Sequence, residues 1–442
     1  MSTPPQVVVP GTVADEQTSS IQRVALASAI GCIIEWYDFF LYGVVAGLVF
    51  NKLFFPNVDP FVGTLLAYAT FAVGFVARPL GGVIFGHFGD KLGRKSILVL
   101  TLVIMGVATF AIGLVPTYAS IGIAAPIILV ILRVFQGIGI GGEWGGAVLM
   151  AVEYAPDKKR GFYGSWPQIG VPAGLALSTG VVALLSRLPE DQFLRWGWRV
   201  AFLFSALLVL VGIYIRSRLF ETPAFRRVQE SQSHAAVPFV ELFRSSTKEV
   251  FQGMGARYIE GVGFNLYGVF MISFLTSAAI KLPRTKALLM VTAAAFIMIF
   301  MIPFFGRLSD RIGRRKVFMC GALASGILSF PAFWLITTTH DPLWIFVSIL
   351  IPFGFVYPAV YGPEAALFSE LFTTRVRYTG VSFVYQFSGI FASGLTPLIA
   401  TSLLQKADGK PWLVCGYVFL VSLISVFAAY TMTERSGQPM LE

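Results

Sequence analysis

The chain has 442 residues, 56% of them hydrophobic and only 13% charged, with a net charge of +10 and three cysteines. A soluble domain averages about 45–50% apolar and about 25% charged residues. Here the charges are gathered between uninterrupted apolar runs long enough to cross a bilayer, so the chain reads as an all-α polytopic membrane protein, and the short alternating segments of a β-barrel are absent. The basic excess lies in particular loops, as the positive-inside rule requires, which argues against a nucleic-acid partner. Cys32, Cys320 and Cys415 are too far apart for a zinc site or a disulfide framework and are expected to be packing residues.

The first twenty residues are polar, carry Pro4, Pro5, Pro10 and Gly11, and are expected to be disordered. The apolar run that follows is too long for a signal peptide, holds Glu35 and Asp38, and lacks a small-residue cleavage pattern. Length and hydropathy predict twelve spans. The first six cover 24–49, 62–85, 96–115, 123–151, 162–186 and 198–217, and the second six 250–279, 287–306, 316–337, 343–367, 378–403 and 411–432. Five segments result: a tail (1–20), a six-helix bundle (21–217), a polar linker (218–249) with a surface helix around Phe225–Glu230, a second bundle (250–434) and a tail (435–442). With the N-terminus inside, inner loops and tails hold 21 Lys and Arg and outer loops nine, which predicts both termini cytoplasmic.

One stretch occurs twice. Residues 86–95 read GHFGDKLGRK and residues 306–315 read GRLSDRIGRR, so Gly86, Asp90, Gly93 and Arg94 recur 220 residues later as Gly306, Asp310, Gly313 and Arg314. Each copy reads as a short charged hinge between apolar runs. Glu153 and Arg160 recur, 217 residues on, as Glu370 and Arg377. Two motifs at nearly one offset indicate a duplication with both halves threaded alike, hence two pseudo-symmetric six-helix bundles around a shared cavity.

These hinges, the R-x-x-Q-G-x-G run at Arg133–Gly139 and the E-x6-R pairs resemble the major facilitator superfamily. The segments EWYDFFLYG (35–43), FVARPLGGVIFGHFGDKLGRK (75–95), RVFQGIGIGGEWGGA (133–147) and ELFTTRVRYTG (370–380) are similar to its metabolite:proton symporter family, over nearly the whole chain from Ile21 to Arg435. Members of that family carry shikimate, 2-oxoglutarate, citrate and related acids, and also proline and betaine. The first half looks most like shikimate carriers and the second departs from them. The resemblance implies a bacterial inner-membrane carrier driven by the proton gradient, with no cofactor, and a cavity lined by spans 1, 4, 7 and 10. It also ties the Arg133 position to coupling.

An ionisable side chain at mid-bilayer costs about 2.5–3.5 kcal/mol on insertion scales, so those present mark function or pairing. Glu35, Asp38 and Tyr42 share one face of span 1, and two carboxylates in a low-dielectric cleft cannot both ionise cheaply; with Glu143 they are the expected proton carriers. Arg133 is the first candidate for a substrate carboxylate, because guanidinium offers a paired fork. Arg78 is a candidate for an internal acid or for substrate. Arg257, Glu260 and Asn265 in span 7, Tyr361 and Glu364 in span 10, and Gln168, Tyr385 and Gln386 in spans 5 and 11 complete the expected substrate wall. Arg257–Glu364 could equally be a structural pair. Asp90, Arg94, Glu153, Arg160, Asp310, Arg314, Glu370 and Arg377 form an expected latch across the two bundles, in which Asp90 and Asp310 face entering helix N-termini.

The expected function is symport of protons with a small organic acid by alternating access, with a zwitterionic osmolyte carrier and a proton-driven exporter as alternatives. No P-loop and no H-E-x-x-H motif occurs, which argues against an ATP-driven pump and an intramembrane enzyme, and no metal site is expected. The expected partners are substrate, protons and the bilayer, with the chain a monomer.

Overall fold

The computed structural model describes residues 29–92, 94–141, 144–153, 155–218, 238–339 and 341–441. The expected N-terminal tail, the Phe225–Glu230 helix, Glu143 and the side chains of Asp90 and Arg94 lie outside the described residues. Among the described residues the regular structure is helical throughout.

Twelve membrane helices follow one another. In the first half they are α1 (Ala29–Leu53), α2 (Pro60–Leu92), α3 (Arg94–Leu114), α4 (Ala124–Gly141, then Trp144–Glu153), α5 (Arg160–Gln168, then Gly170–Leu185) and α6 (Trp198–Arg218). In the second half they are α7 (Thr247–Thr276), α8 (Arg284–Ile312), α9 (Arg314–Thr338), α10 (Pro342–Ser369), α11 (Arg377–Lys406) and α12 (Trp412–Thr431). Eleven described helices meet the length and hydropathy of a membrane span, and α3 adds the shorter apolar stretch Val99–Leu114. A short helix, Pro238–Ser245, precedes α7.

Packing sorts these helices into two bundles. In the first, α2 packs on α4 and α3 on α4 and α6; in the second, α9 packs on α10 and α12, and α7 on α11 and α12. The seam is made by α5 against α8 and α10, by α2 against α11 and by α4 against α10 and α11. Small residues set the closest approach. A Cβ at Gly137 would lie 2.2 Å from the Gly74 carbonyl oxygen, and one at Gly141 2.0 Å from that of Arg78. The glycine-rich middle of α4 is therefore a surface against α2, as helix packing in membranes favours. Large apolar side chains such as Val83, Ile123, Leu184 and Phe427 stay exposed on the rim, where acyl chains replace water.

The repeat is visible in backbone detail. α1 widens into a π-turn at Ala46–Phe50 and α7 does so at Leu266–Phe270, 220 residues later. α5 is interrupted at Ile169 and α11 widens at Ile390–Gly394, again at nearly the same offset. Such turns release backbone groups and cluster at working parts of proteins.

The second hinge differs from a loop between spans. α8 stays helical through Arg307–Ile312, and the chain breaks only at Gly313, whose φ of +104° favours glycine. Apolar character ends near Gly306, but the i→i−4 ladder does not need apolar side chains and continues to the first residue that leaves helical space.

Candidate functional site

Four buried ionisable groups lie on α1 and α7 (Glu35, Asp38, Arg257 and Glu260), the two most enclosed helices, and others on α2, α4 and α10. In α7, Arg257 pairs with Glu260 one turn on and stands 3.7 Å from Glu364 Oε1 of α10. The Tyr357 hydroxyl donates to Glu260 Oε1 at 2.7 Å. The Arg257 guanidinium lies 4.0 Å from the centre of the Tyr385 ring of α11.

Arg78 of α2 approaches the same ring from the other bundle, at 5.8 Å. Trp36, Phe39 and Phe75 enclose it at 5.1, 5.4 and 5.3 Å. Arg78 is 1% exposed, and its Nε and Nη2 have no hydrogen-bond partner. Gln386, next to Tyr385, donates from Nε2 to the Gly141 carbonyl at 2.8 Å, which ties α11 to α4. One arginine from each bundle therefore meets at a single tyrosine on the seam, with Glu260 and Glu364 beside Arg257.

Arg133 is placed differently from its sequence expectation. It lies inside the first bundle, fully buried, with Nη1 donating to Gln136 Oε1 at 2.9 Å and to Phe39 O at 3.3 Å, and Nε to Phe71 O at 3.4 Å. Its guanidinium lies 3.9 Å from the Phe39 ring and 4.5 Å from the Tyr42 ring. Gly74 opens the space, since a Cβ there would stand 2.4 Å from Arg133 Nε. Backbone carbonyls, Gln136 and rings surround the guanidinium that was expected to face a cavity, and its Nη2 alone is left without a hydrogen-bond partner; Arg78 is the arginine of the first half that approaches Tyr385 on the seam.

Asp38 also points into the first bundle. It is 0% exposed, the hydroxyls of Ser205 and Thr109 approach its carboxylate, and Gln136 Nε2 bonds Thr109 Oγ1 at 2.7 Å. Tyr42 donates to Thr70 Oγ1 at 2.8 Å. Glu35 is buried on α1 beside Trp36. Asn265 bonds the Gly261 carbonyl of its own helix at 3.0 Å, and Gln168 and Tyr361 are both 0% exposed. Sequence spacing did not single out Trp36, Phe39 and Phe75 as a cage around Arg78, because aromatic residues are abundant in every span.

Two closed layers flank this centre. At the hinge end Asp310 accepts from Gly161 N at 2.8 Å and Phe162 N at 2.9 Å, so its carboxylate caps the N-terminus of α5 across the seam. Arg314 holds Glu370 with a fork of 2.6 and 2.8 Å and Asp310 at 2.7 Å. Arg377 bonds Glu153 at 3.0 Å, and Arg160 stands 3.8 Å from Glu370 while pairing with Asp157. The structure thus brings six of the eight expected latch residues together; the side chains of the other two, Asp90 and Arg94, are the ones outside the described set. The segment after α12 laces under this layer. Arg160 Nη1 donates to Gln438 O, and Arg377 Nη2 to Leu441 O, each at 2.7 Å, while Glu434 accepts from Arg315 N at 3.0 Å.

At the opposite end hydroxyl pairs close the seam. Tyr68 bonds Ser273 at 2.6 Å, Thr179 meets Thr292 at 2.8 Å and Ser186 meets Thr285 at 2.7 Å. No sequence signal marks these pairs, since single hydroxyls 99 to 205 residues apart carry no pattern. With both ends joined, the buried arginines and glutamates occupy an occluded layer.

The first part of the chain, residues 24–249, matches the family model "Sugar (and other) transporter", and residues 253–440 match "Major Facilitator Superfamily". The shikimate transporter of Escherichia coli K12 is 41% identical over 427 residues, covering 95% of this chain and 97% of the relative. The chain belongs to the major facilitator superfamily. The inner membrane metabolite transport protein YhjE of the same organism is 41% identical, covering 87% of this chain and 88% of its own. The proline/betaine transporter of Salmonella typhimurium LT2 is 36% identical, at 95% and 85% coverage. Among solved structures, a D-xylose-proton symporter superposes with a TM-score of 0.74 at 19% identity, over 95% of this chain and all of the other, a likeness of fold. The protein is a multi-pass membrane transporter of twelve helices, and its relatives are metabolite carriers.

Proposed function

We propose that the protein carries a small organic acid together with protons, by alternating access, with the hinge end cytoplasmic. The carrying observation is the enclosed seam layer in which Arg78 and Arg257 converge on Tyr385 beside Glu260 and Glu364. Buried charge of this density is costly unless the layer opens to water, and the two flanking closures supply alternate routes for opening. The latch at the hinge end is ionic; the opposite closure is built from hydroxyl pairs. Each contributes contacts present only when its own side is shut, which is the condition for biasing two states.

In this cycle the opposite face parts first and the layer fills from outside. A substrate carboxylate meets the arginines, and a proton on the acids of α1, Glu35 or Asp38, offsets the added charge. The outer hydroxyl pairs re-form. The latch then parts: Asp310 leaves the α5 N-terminus, Arg377 leaves Glu153, and substrate and proton exit inward. No cofactor enters the scheme. The resemblance to a shikimate transporter favours an acid, and that to proline/betaine transporters keeps a zwitterion as the competing cargo.

The deciding experiment uses purified protein in proteoliposomes with an imposed pH gradient. Uptake of an organic acid that depends on an acidic exterior and collapses with an uncoupler supports symport. Uptake indifferent to the gradient, or outward transport driven by it, refutes it.

A further inference from the structure

The segment after α12 turns back under the molecule. Met432 is buried, and Glu434 reaches α9, where its carboxylate oxygens accept Arg314 N at 3.3 Å and Arg315 N at 3.0 Å. A tight turn follows. Ser436 N bonds Glu434 Oε1 at 3.2 Å, Gln438 N bonds Arg435 O at 3.1 Å, and Gly437 takes a φ of +74°. The turn presents the Gln438 carbonyl to Arg160 Nη1, 2.7 Å away at the start of α5. Met440 then packs on the core, and the Leu441 carbonyl collects three donors: Thr374 N at 3.0 Å, Thr374 Oγ1 at 2.9 Å and Arg377 Nη2 at 2.7 Å.

These contacts divide by bundle. Glu434 and Leu441 hold residues of the second bundle, to which the segment is covalently joined, while Gln438, between them, holds a residue of the first. The segment is therefore pinned at both ends to one bundle, and its middle crosses the seam. We propose that residues 434–441 form a strap that releases α5 each time the hinge end opens, a brake on inward opening carried by the chain itself. This rests on the reading that the hinge end parts during transport.

The crossing bond is built to let go. Arg160 keeps an acid of its own bundle, since it also pairs with Asp157, so leaving Gln438 does not strand a charge without a partner. Gly437, Gln438 and Pro439 are exposed, and water can take over the freed carbonyl. The anchor is stronger: three donors on the Leu441 carbonyl keep the strap on its own bundle while the middle departs. A contact present in only one of two states biases the equilibrium between them.

Gly437 allows a test that leaves the latch untouched. Among the described residues a Cβ there meets only Lys158 Cγ, at 4.0 Å, so a side chain has room and the positive φ alone resists it. Valine strains this turn, whereas asparagine tolerates left-handed backbone. The readout is hydrogen exchange, in the purified full chain, at the Gly161 and Phe162 amides, which Asp310 accepts while the hinge end is shut. Exchange of such an amide scales with its open population. Gly437→Val is expected to speed it about 2- to 10-fold, the worth of one hydrogen bond, and Gly437→Asn to change it less than about twofold. In a chain with its native cysteines replaced by alanine, Lys158→Cys bridged to Gln438→Cys by a short bis-methanethiosulfonate ties the strap to α5. That bridge is expected to slow exchange at least about tenfold, reversibly on reduction. Thr374→Cys bridged to Leu441→Cys fastens the strap to its own bundle and is expected to leave exchange near parental.

Parental exchange in Gly437→Val overturns the strap. So does a bridged 158–438 protein that exchanges like its reduced form, or a 374–441 bridge that slows exchange as much as the 158–438 bridge. Asp310→Asn separates this from the reading of an opening hinge. Faster exchange in Asp310→Asn with no effect of Gly437→Val or of the 158–438 bridge keeps the opening hinge and removes the strap. Parental exchange in every variant removes both.

Discussion

Asp310 is the single side chain whose change should move the protein furthest between its closed and open hinge ends. Its two carboxylate oxygens accept backbone N–H groups of Gly161 and Phe162 from the other bundle, and Oδ1 also receives Arg314. In Asp310→Asn one oxygen becomes an NH2 facing an N–H donor, so one of the two charged bonds to α5 is lost. A hydrogen bond to a charged group contributes about 1.5–3 kcal/mol. The charge at a helix N-terminus contributes a further 0.3–1 kcal/mol or so. The closed end should therefore lose about 2–4 kcal/mol relative to the open one, a rise of roughly 30- to 1,000-fold in the open-to-closed ratio.

The reporter for this shift is Ala365→Cys, which is buried on α10 against Gly164 across the seam, about one turn from Glu370. The three native cysteines are replaced by alanine. While the open form is a minor species, labelling by a membrane-impermeant maleimide from the hinge side scales with its population. Labelling should speed up at least 30-fold in Asp310→Asn and stay unchanged in Arg311→Ala, whose side chain is exposed. Parental labelling in an Asp310→Asn protein that folds normally would refute the capping argument.

The glycine contacts give further tests. A Cβ at Gly161 would lie 2.5 Å from the Gly306 carbonyl oxygen, backbone against backbone, so Gly161→Ala should also speed labelling of residue 365, and more than Gly164→Ala. At the opposite end a Cβ at Gly47 would stand 2.1 Å from Ser273 Oγ and 2.6 Å from the Tyr68 hydroxyl. Gly47→Val should hold that end open, raising maleimide labelling from that side by tenfold or more and abolishing net uptake while substrate binding persists. Deleting residues 436–441 frees Arg160 and Arg377 from two carbonyls, and should speed hinge-side labelling roughly 5- to 150-fold, since each of the two bonds contributes about 0.5–1.5 kcal/mol. Arg133→Gln should lower thermal stability by several degrees, because its donors hold the first bundle together, and should cost more stability than Arg78→Gln, whose Nε and Nη2 make no hydrogen bond.

The global plan was readable because it rests on long-range averages. Twelve apolar runs and a 220-residue repeat sum over many residues, and no single packing choice can overturn them. The clustering of charges at the hinge end was readable for a related reason. Charges at helix ends are few, and Asp310 on the α5 N-terminus follows from the attraction between a carboxylate and unsatisfied N–H groups. The end of α8 was not readable, since loss of apolar character at Gly306 marks the membrane boundary and not the end of the helix, which Gly313 sets.

The different surroundings of the two arginines were not readable. Arg133 and Arg78 have similar apolar contexts in sequence, and depth along a helix says nothing about which way a side chain turns. What separates them is a partner on another helix. Gly74 leaves a pocket in α2 that admits Arg133, and the carbonyls of Phe39 and Phe71 occupy it there. Arg78, one helical turn from Gly74 on the same span, has its backbone pressed against Gly141, and its side chain passes among aromatic rings toward Tyr385. The same small residues that let α2 and α4 touch thus assign one arginine to the bundle interior and leave Arg78, which makes no ion pair among the described residues, at the seam. Under the proposed function its counter-charge arrives and leaves with the transport cycle, and the packing of α2 on α4 then helps decide what is carried.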